Sequence, residues 1–280
     1  MTKDIRRILK LWRSYAALDL AFVTADLKLV LIYLFSDMVS NLAAITGMLL
    51  LAERFAGIGP WSQAQVIFLL GYATTVRGML DIVFGYNILV ISRRIGRGQF
   101  DHTLLQPQPI WMALLTEGFM PFSGIASLLP GLALLLWSMS GLALSITPGW
   151  LALLILNIMA SMAIILAFSF VWGSLAFWAP RSAEEISSSA MGMLEKLKPF
   201  PLDGLGPLLL GSLLTIIPVG FVAWYPCRVL LGIESDPLAM WVTPLAAFLM
   251  SSLAVFIFRK GLEHYGHTGS QRYSSFGHRR

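Results

Sequence analysis

The chain has 280 residues, of which 57% are hydrophobic and only 12% charged, against about 25% charged residues in a soluble domain. That balance excludes an ordinary water-soluble domain. The single cysteine, Cys227, excludes an intrachain disulfide and a thiol-rich metal site.

Residues 1–28 open the chain as a basic amphipathic segment. At 100° per residue, Ile5, Ile8, Leu9, Trp12, Tyr15 and Ala16 fall on one side of a helix, and Lys3, Arg6, Arg7, Lys10 and Arg13 on the other. This pattern predicts a helix lying in the membrane interface, either a simple lipid anchor or a hinge before the first span. No compact apolar core followed by a small-residue cleavage site is present, so these residues are expected to stay on the mature chain.

Six stretches are long and apolar enough to cross about 30 Å of hydrocarbon. They are Leu29 to Leu51, Ala64 to Ile91, Ile110 to Leu142, Gly149 to Pro180, Gly204 to Cys227 and Leu238 to Phe258. The second, at about 42 Å as a helix, is longer than the bilayer core and is predicted to protrude. It leads into Ser92-Arg93-Arg94-Ile95-Gly96-Arg97-Gly98 and, after Pro107 and Pro109, the third run, where Pro121 and Pro130 predict kinks. The polar stretch Arg181 to Lys198 reads as an interfacial helix before the fifth run. That run contains Pro207, Pro218 and Pro226, so its segment Pro218 to Gly232 is predicted to be broken or re-entrant. A polar tail, 261–280, follows the six-span region 29–260.

Orientation follows from positive charge, which is retained on the cytoplasmic side. Sixteen of the twenty Lys and Arg residues lie in one set of connections: around Trp12, after the second span, in Arg181 to Lys198, and in the tail. The opposite loops hold Arg54 and Arg228. Both termini are therefore expected to be cytoplasmic. The net charge of +5 is explained by this topology, not by a nucleic-acid surface. Trp61, Trp111, Trp150, Trp178, Trp224 and Trp241 lie near the run ends, where interfacial rings belong.

Catalytic patterns are missing. The sequence has no Gly-rich loop ending in Gly-Lys-Ser or Gly-Lys-Thr, so any ATP and Mg would have to be held by another chain. All four histidines lie outside the predicted spans, which leaves Ser123 without a base for hydrolysis. No His-Glu-x-x-His metal site occurs. Within the spans, Arg77 and Asp81 are spaced to pair on one helix face, and Asp37 and Glu117 are the other notable acids. Each is a pathway or interface candidate as well as a residue neutralised by pairing or snorkelling.

Three passages together resemble the type-2 ABC permeases, the exporter-like membrane subunits of antibiotic and multidrug transporters. Gly98-Gln-Phe-Asp101-His-Thr-Leu104-Leu105-Gln-Pro107 is similar to the family's Gly-x-x-Asp-x-x-Leu-Leu-x-Pro after the second span. Ile217-Pro218 with Tyr225-Pro226-Cys-Arg-Val-Leu230-Leu231-Gly232 looks like its exit from span five. Gly261-Leu262-Glu-His-Tyr265-Gly-His-Thr-Gly269 is similar to its tail.

The resemblance implies an all-α integral membrane fold of six transmembrane helices, with an interfacial N-terminal helix and a cytoplasmic coupling helix. It also implies a bacterial inner-membrane location, a second permease subunit, and two cytoplasmic ABC ATPases that hold ATP and Mg. Arg93, Arg94 and Arg97, punctuated by Gly96 and Gly98 and followed by Asp101, would form the coupling loop. Pro218, Tyr225 and Pro226 would form the outer re-entrant element. Apolar spans favour an amphiphilic drug, peptide or lipid as substrate. An ATP-independent channel or ion-driven carrier is the alternative, which the scarcity of intramembrane acids and the lack of inverted halves disfavour.

Overall fold

The computed structural model describes residues 2–54, 60–85, 90–142 and 144–269, with only some α2 side chains from 33 to 54 included. Helix α1, Thr2–Ala25, is followed by α2, Leu27–Arg54. Asp26 separates them and caps α2, its Oδ1 accepting from Leu29 N at 3.0 Å. α2 covers the predicted first span as one helix; the Asp37 side chain lies outside the described residues.

Helix α3, Gln63–Val83, begins with a capping box between Ser62 and Gln65. It is 21 residues long, about 31 Å, so it fits the bilayer and does not protrude. The predicted run to Ile91 is interrupted at Gly85, whose φ of 56° no β-branched residue would adopt readily. The arginine segment forms a separate short helix, α4, Ile91–Gly96, followed by α5, Phe100–Leu104. Gly98, at φ 69°, makes the turn between them.

The third apolar run breaks as Pro121 predicted, into α6, Ile110–Thr116, and α7, Ile125–Ser140. Pro130 lies inside α7 without ending it. α7 packs antiparallel to α3 at a distance only glycine permits: a Cβ on Gly71 would stand 2.6 Å from Leu135 N, and one on Gly124 2.8 Å from Ile82 N. Small residues thus bring the two backbones together, as helix pairs in lipid require.

Helix α8, Pro148–Gly173, starts with Pro148 after a Thr147 cap and continues as a 3-10 turn, Ser174–Phe177. α12, Val242–Thr268, packs along it and leaves a stripe of Leu245, Phe248, Leu249, Leu253 and Phe256 exposed. A water-soluble surface would not carry such a stripe.

Between them the structure departs from the sequence reading. Helix α9, Pro180–Leu197, is 18 residues, about 27 Å, and it is not a surface connection. Its first turns meet α4 at Glu184 and Arg93. Its last turn approaches α3 at Glu195 and Arg77. The chain then reaches Asp203, whose carboxylate accepts from the indole N–H of Trp61, from that of Trp224 at 2.6 Å, and from the Arg228 guanidinium. Trp61 stands at the start of α3 and Arg228 beside the Trp150 end of α8, so between Glu184 and Asp203 the chain, α9 together with the residues after it, has run the length of the bundle.

The predicted fifth span, Gly204 to Cys227, is correspondingly not one straight helix. α10, Pro207–Thr215, is bent by 80° against Gly220–Leu230, a π-turn followed by α11, Tyr225–Leu230. Pro218 lies in the break. α10 begins only four residues after Asp203, and Leu230 at the other end of the pair accepts from Trp150 Nε1 at 2.9 Å. Both ends of the bent pair therefore sit at the Asp203 end of the bundle. Lys196 and Lys198 consequently leave the basic set, yet the charge asymmetry persists.

By length and composition three described helices, α3, α8 with its 3-10 turn, and α12 with the turn before it, could cross a membrane, or four if the bent pair is one crossing. The described residues are otherwise helices and short turns.

Candidate coupling site and the polar helix

The basic end of the bundle is built around α4 and α5. Arg93 Nε donates to Glu184 Oε1 at 2.9 Å, tying α4 to α9. Arg94 Nη2 reaches Glu117 Oε2 at 2.7 Å and donates to Thr103 Oγ1 at 2.9 Å, so one guanidinium links α4, α5 and the break after α6. Gln106 Nε2 donates to Glu117 Oε1 at 2.8 Å, completing that carboxylate's shell. Pairing of this kind, half screened from water, fixes geometry more than it adds stability.

Below this network Phe100 enters an aromatic cluster with Phe177, Phe258 and Tyr265, the rings meeting edge to face at 5.4–6.2 Å. The Tyr265 hydroxyl donates to Asp101 Oδ1. Gly261 lies against the Phe177 ring, where a side chain would collide. Two passages read separately in the sequence, around Asp101 and around Tyr265, are thus one packed unit.

This arrangement divides the three arginines of the expected coupling loop. Arg93 and Arg94 point into the molecule, whereas Arg97 is exposed. With it stand Gln99, His102, Leu104, Pro107 and Leu105, the last 83% exposed. The exposed surface here is a mixed cation and leucine knob on a base tied by ion pairs. Gly96 is buried at the end of α4, and Gly98 supplies the left-handed turn that presents the knob.

Helix α1 clasps the same region. Arg7 Nη2 donates to Pro107 O at 3.1 Å, and the Trp12 ring stacks on Phe119 with centroids 5.2 Å apart. Asp19, 6% exposed, accepts from Phe122 N at 2.8 Å, Ser123 N at 3.1 Å and the Ser123 hydroxyl. Asp19 therefore binds the backbone at the break in the third run, where helix α7 begins. Burial, then the nearby Glu117 carboxylate, hold the Tyr15 phenol above its ordinary pKa, while Arg94 opposes them. Sequence reasoning missed Asp19, although it follows Tyr15 by four positions on the face assigned to lipid.

The second candidate group lies between α3 and α9. Arg77 Nε contacts Asp81 Oδ1 at 3.0 Å, as its spacing predicted, but Arg77 Nη1 also reaches Glu195 Oε2 at 3.2 Å. Lys198 Nζ meets the same carboxylate oxygen at 2.7 Å. A cavity of about 180 Å³ opens beside them, lined by Arg77, Val90, Ser187, Ser188 and Glu195 among others. Glu195 and Lys198 were not singled out in the sequence reading because their segment had been assigned to an interfacial helix.

At the opposite end, Asp203 holds Trp61, Trp224 and Arg228 together, and Arg228 also contacts Glu234 at 3.2 Å and lies over the Trp224 ring. Tyr225 packs on Phe221 with centroids 6.2 Å apart, and Pro226 is buried in the first turn of α11. Pro218, Tyr225 and Pro226 thus belong to the bent element. Among the described residues no group of three or more His, Cys, Asp or Glu side chains could hold a metal ion.

Apolar helices with exposed apolar stripes, glycine-mediated helix packing and a basic end define an integral membrane protein. The family profile described as ABC-2 family transporter protein matches residues 38–269, and the chain belongs to that family. Comparison with curated proteins and with solved structures finds no match.

Proposed function

We propose that the chain is the permease half of an ABC exporter, moving an amphiphilic drug, peptide or lipid-like substrate outward across a bacterial inner membrane. Two separate ABC ATPases, which bind ATP and Mg, power it from the cytoplasmic side, where both termini lie. In this reading the six crossings are α2, α3, α6 with α7, α8, α9 and α12, with the bent pair re-entering from the outer face. α1 lies in the inner interface, its exposed Ile5, Leu9, Leu18 and Phe22 in lipid.

The observation that carries the reading is the exposed knob of Arg97 and Leu105 on a base fixed by Arg93, Arg94, Glu117 and Glu184. Closure of the ATPases pushes this knob, and the ion pairs pass the displacement to α6 and α9. Helix α9 supports a paired permease. Its exposed Arg181, Ser182, Glu185, Ser188 and Ser189 cannot face hydrocarbon at reasonable cost, so a second, identical or paralogous copy and a water-lined path cover them. Arg77, Asp81 and Glu195 stand beside that path.

The test is mild-detergent purification of the tagged chain from its native membrane, with ATPase activity measured on the eluate. An ABC ATPase should co-purify with vanadate-sensitive activity, and Leu105→Asp or Arg97→Glu should lose it while the permease remains folded. Recovery of the intact permease pair without any ATPase would favour the carrier or channel reading.

A further inference from the structure

A cleft of about 530 Å³ lies on the flank of the bundle between α6, α8 and α12. Its size falls within the roughly 300–1,000 Å³ of small-molecule sites. Leu114, Ala167 and Ala254 form a buried floor, while Trp111, 53% exposed, and Val255 leave one side open. The lining is apolar except for Ser251 and for Arg259, which stands at the basic end of α12. Among the described residues Arg259 has no ion-pair partner: Glu263, one turn on, is held by Lys260 at 2.9 Å.

The geometry points to a binding site for one anionic phospholipid of the bilayer, with an acyl chain in the cleft and its phosphate on Arg259. Three observations select this occupant. The open side continues into the exposed stripe of Leu253 and Phe256, so bilayer lipid has direct access. The unpaired guanidinium complements a phosphate and offers nothing to a cationic amphiphile. Trp111 sits where an amphipathic ring meets the headgroup layer. No acid lines the cleft to repel the phosphate. The site does not depend on transport: it lies away from the polar face of α9, and its ligand is a resident of the membrane.

The test is native mass spectrometry of the full chain with phosphatidylglycerol or phosphatidylcholine of identical acyl chains. The chain should retain phosphatidylglycerol in preference, and Arg259→Gln should reduce that preference about fivefold, whereas Lys260→Gln should not. Equal loss in both variants would mean general attraction to positive charge and would overturn the proposal, as would full retention in Arg259→Gln. A second measurement uses phosphatidylglycerol with a diazirine on its acyl chain. Crosslinks should fall in residues 110–115 and 251–262, and labelling spread evenly over all helices would equally overturn the site.

Discussion

Replacing Asp19 with alanine should loosen the break in the third run, and the size of the effect can be worked from its contacts. The carboxylate is the acceptor for two backbone amides, Phe122 N and Ser123 N, and for the Ser123 hydroxyl. A buried donor left without a partner costs about 1–3 kcal/mol, and loss of a helix cap typically about 1 kcal/mol. Water will reach part of the gap, which places the local loss near 2 kcal/mol, about a thirtyfold rise in opening. Hydrogen exchange followed by mass spectrometry should show this rise in peptides spanning 117–128, with peptides from α12 unchanged. Asp19→Asn keeps an acceptor without the charge and should show a smaller rise. Unchanged exchange in Asp19→Ala would refute the claim that α1 holds this break.

Three further outcomes are expected. Gly71→Ala or Gly78→Ala should cut the yield of monodisperse protein in size-exclusion chromatography, because the new methyl meets the α7 backbone, whereas Gly192→Ala, with nothing within 4 Å, should not. Arg94→Glu and Glu117→Arg should each lower thermal stability in detergent, and the double swap should recover much of the loss, giving a coupling of about 1–3 kcal/mol in a double-mutant cycle. Asp203→Ala strands one guanidinium and two indole N–H groups, and should lower the unfolding temperature more than Glu234→Ala, which removes only the more distant Arg228 contact.

Much of the architecture was legible because apolar run length is a direct record of bilayer thickness. α3, α8 and α12 lie where their runs predicted, and the break at Pro121 follows from a residue that cannot donate a helical hydrogen bond. The failure concerned α9. Glu184 and Glu195 read as water-exposed because hydropathy scores each residue against lipid or water alone. Their actual neighbours are Arg93 and Arg77 on other helices, which a local window cannot see. The same blindness hid the partners of Arg93 and Arg94: their acids lie 91 and 23 positions downstream. Asp19 was legible in principle, as a carboxylate on an otherwise apolar helix face.

The polarity of α9 also constrains how the protein is made. As the proposed fifth crossing, a segment with Glu184, Glu185, Glu195 and Lys196 would enter lipid by itself only at a cost that grows with each unpaired charge. Arg93 and Arg77 belong to helices synthesised earlier, so α9 finds its counterions waiting when it emerges. Its placement therefore depends on α3 and α4 being retained near the exit site, and a ribosome paused before residue 180 would hold an assembly intermediate with those arginines still unmatched by α9.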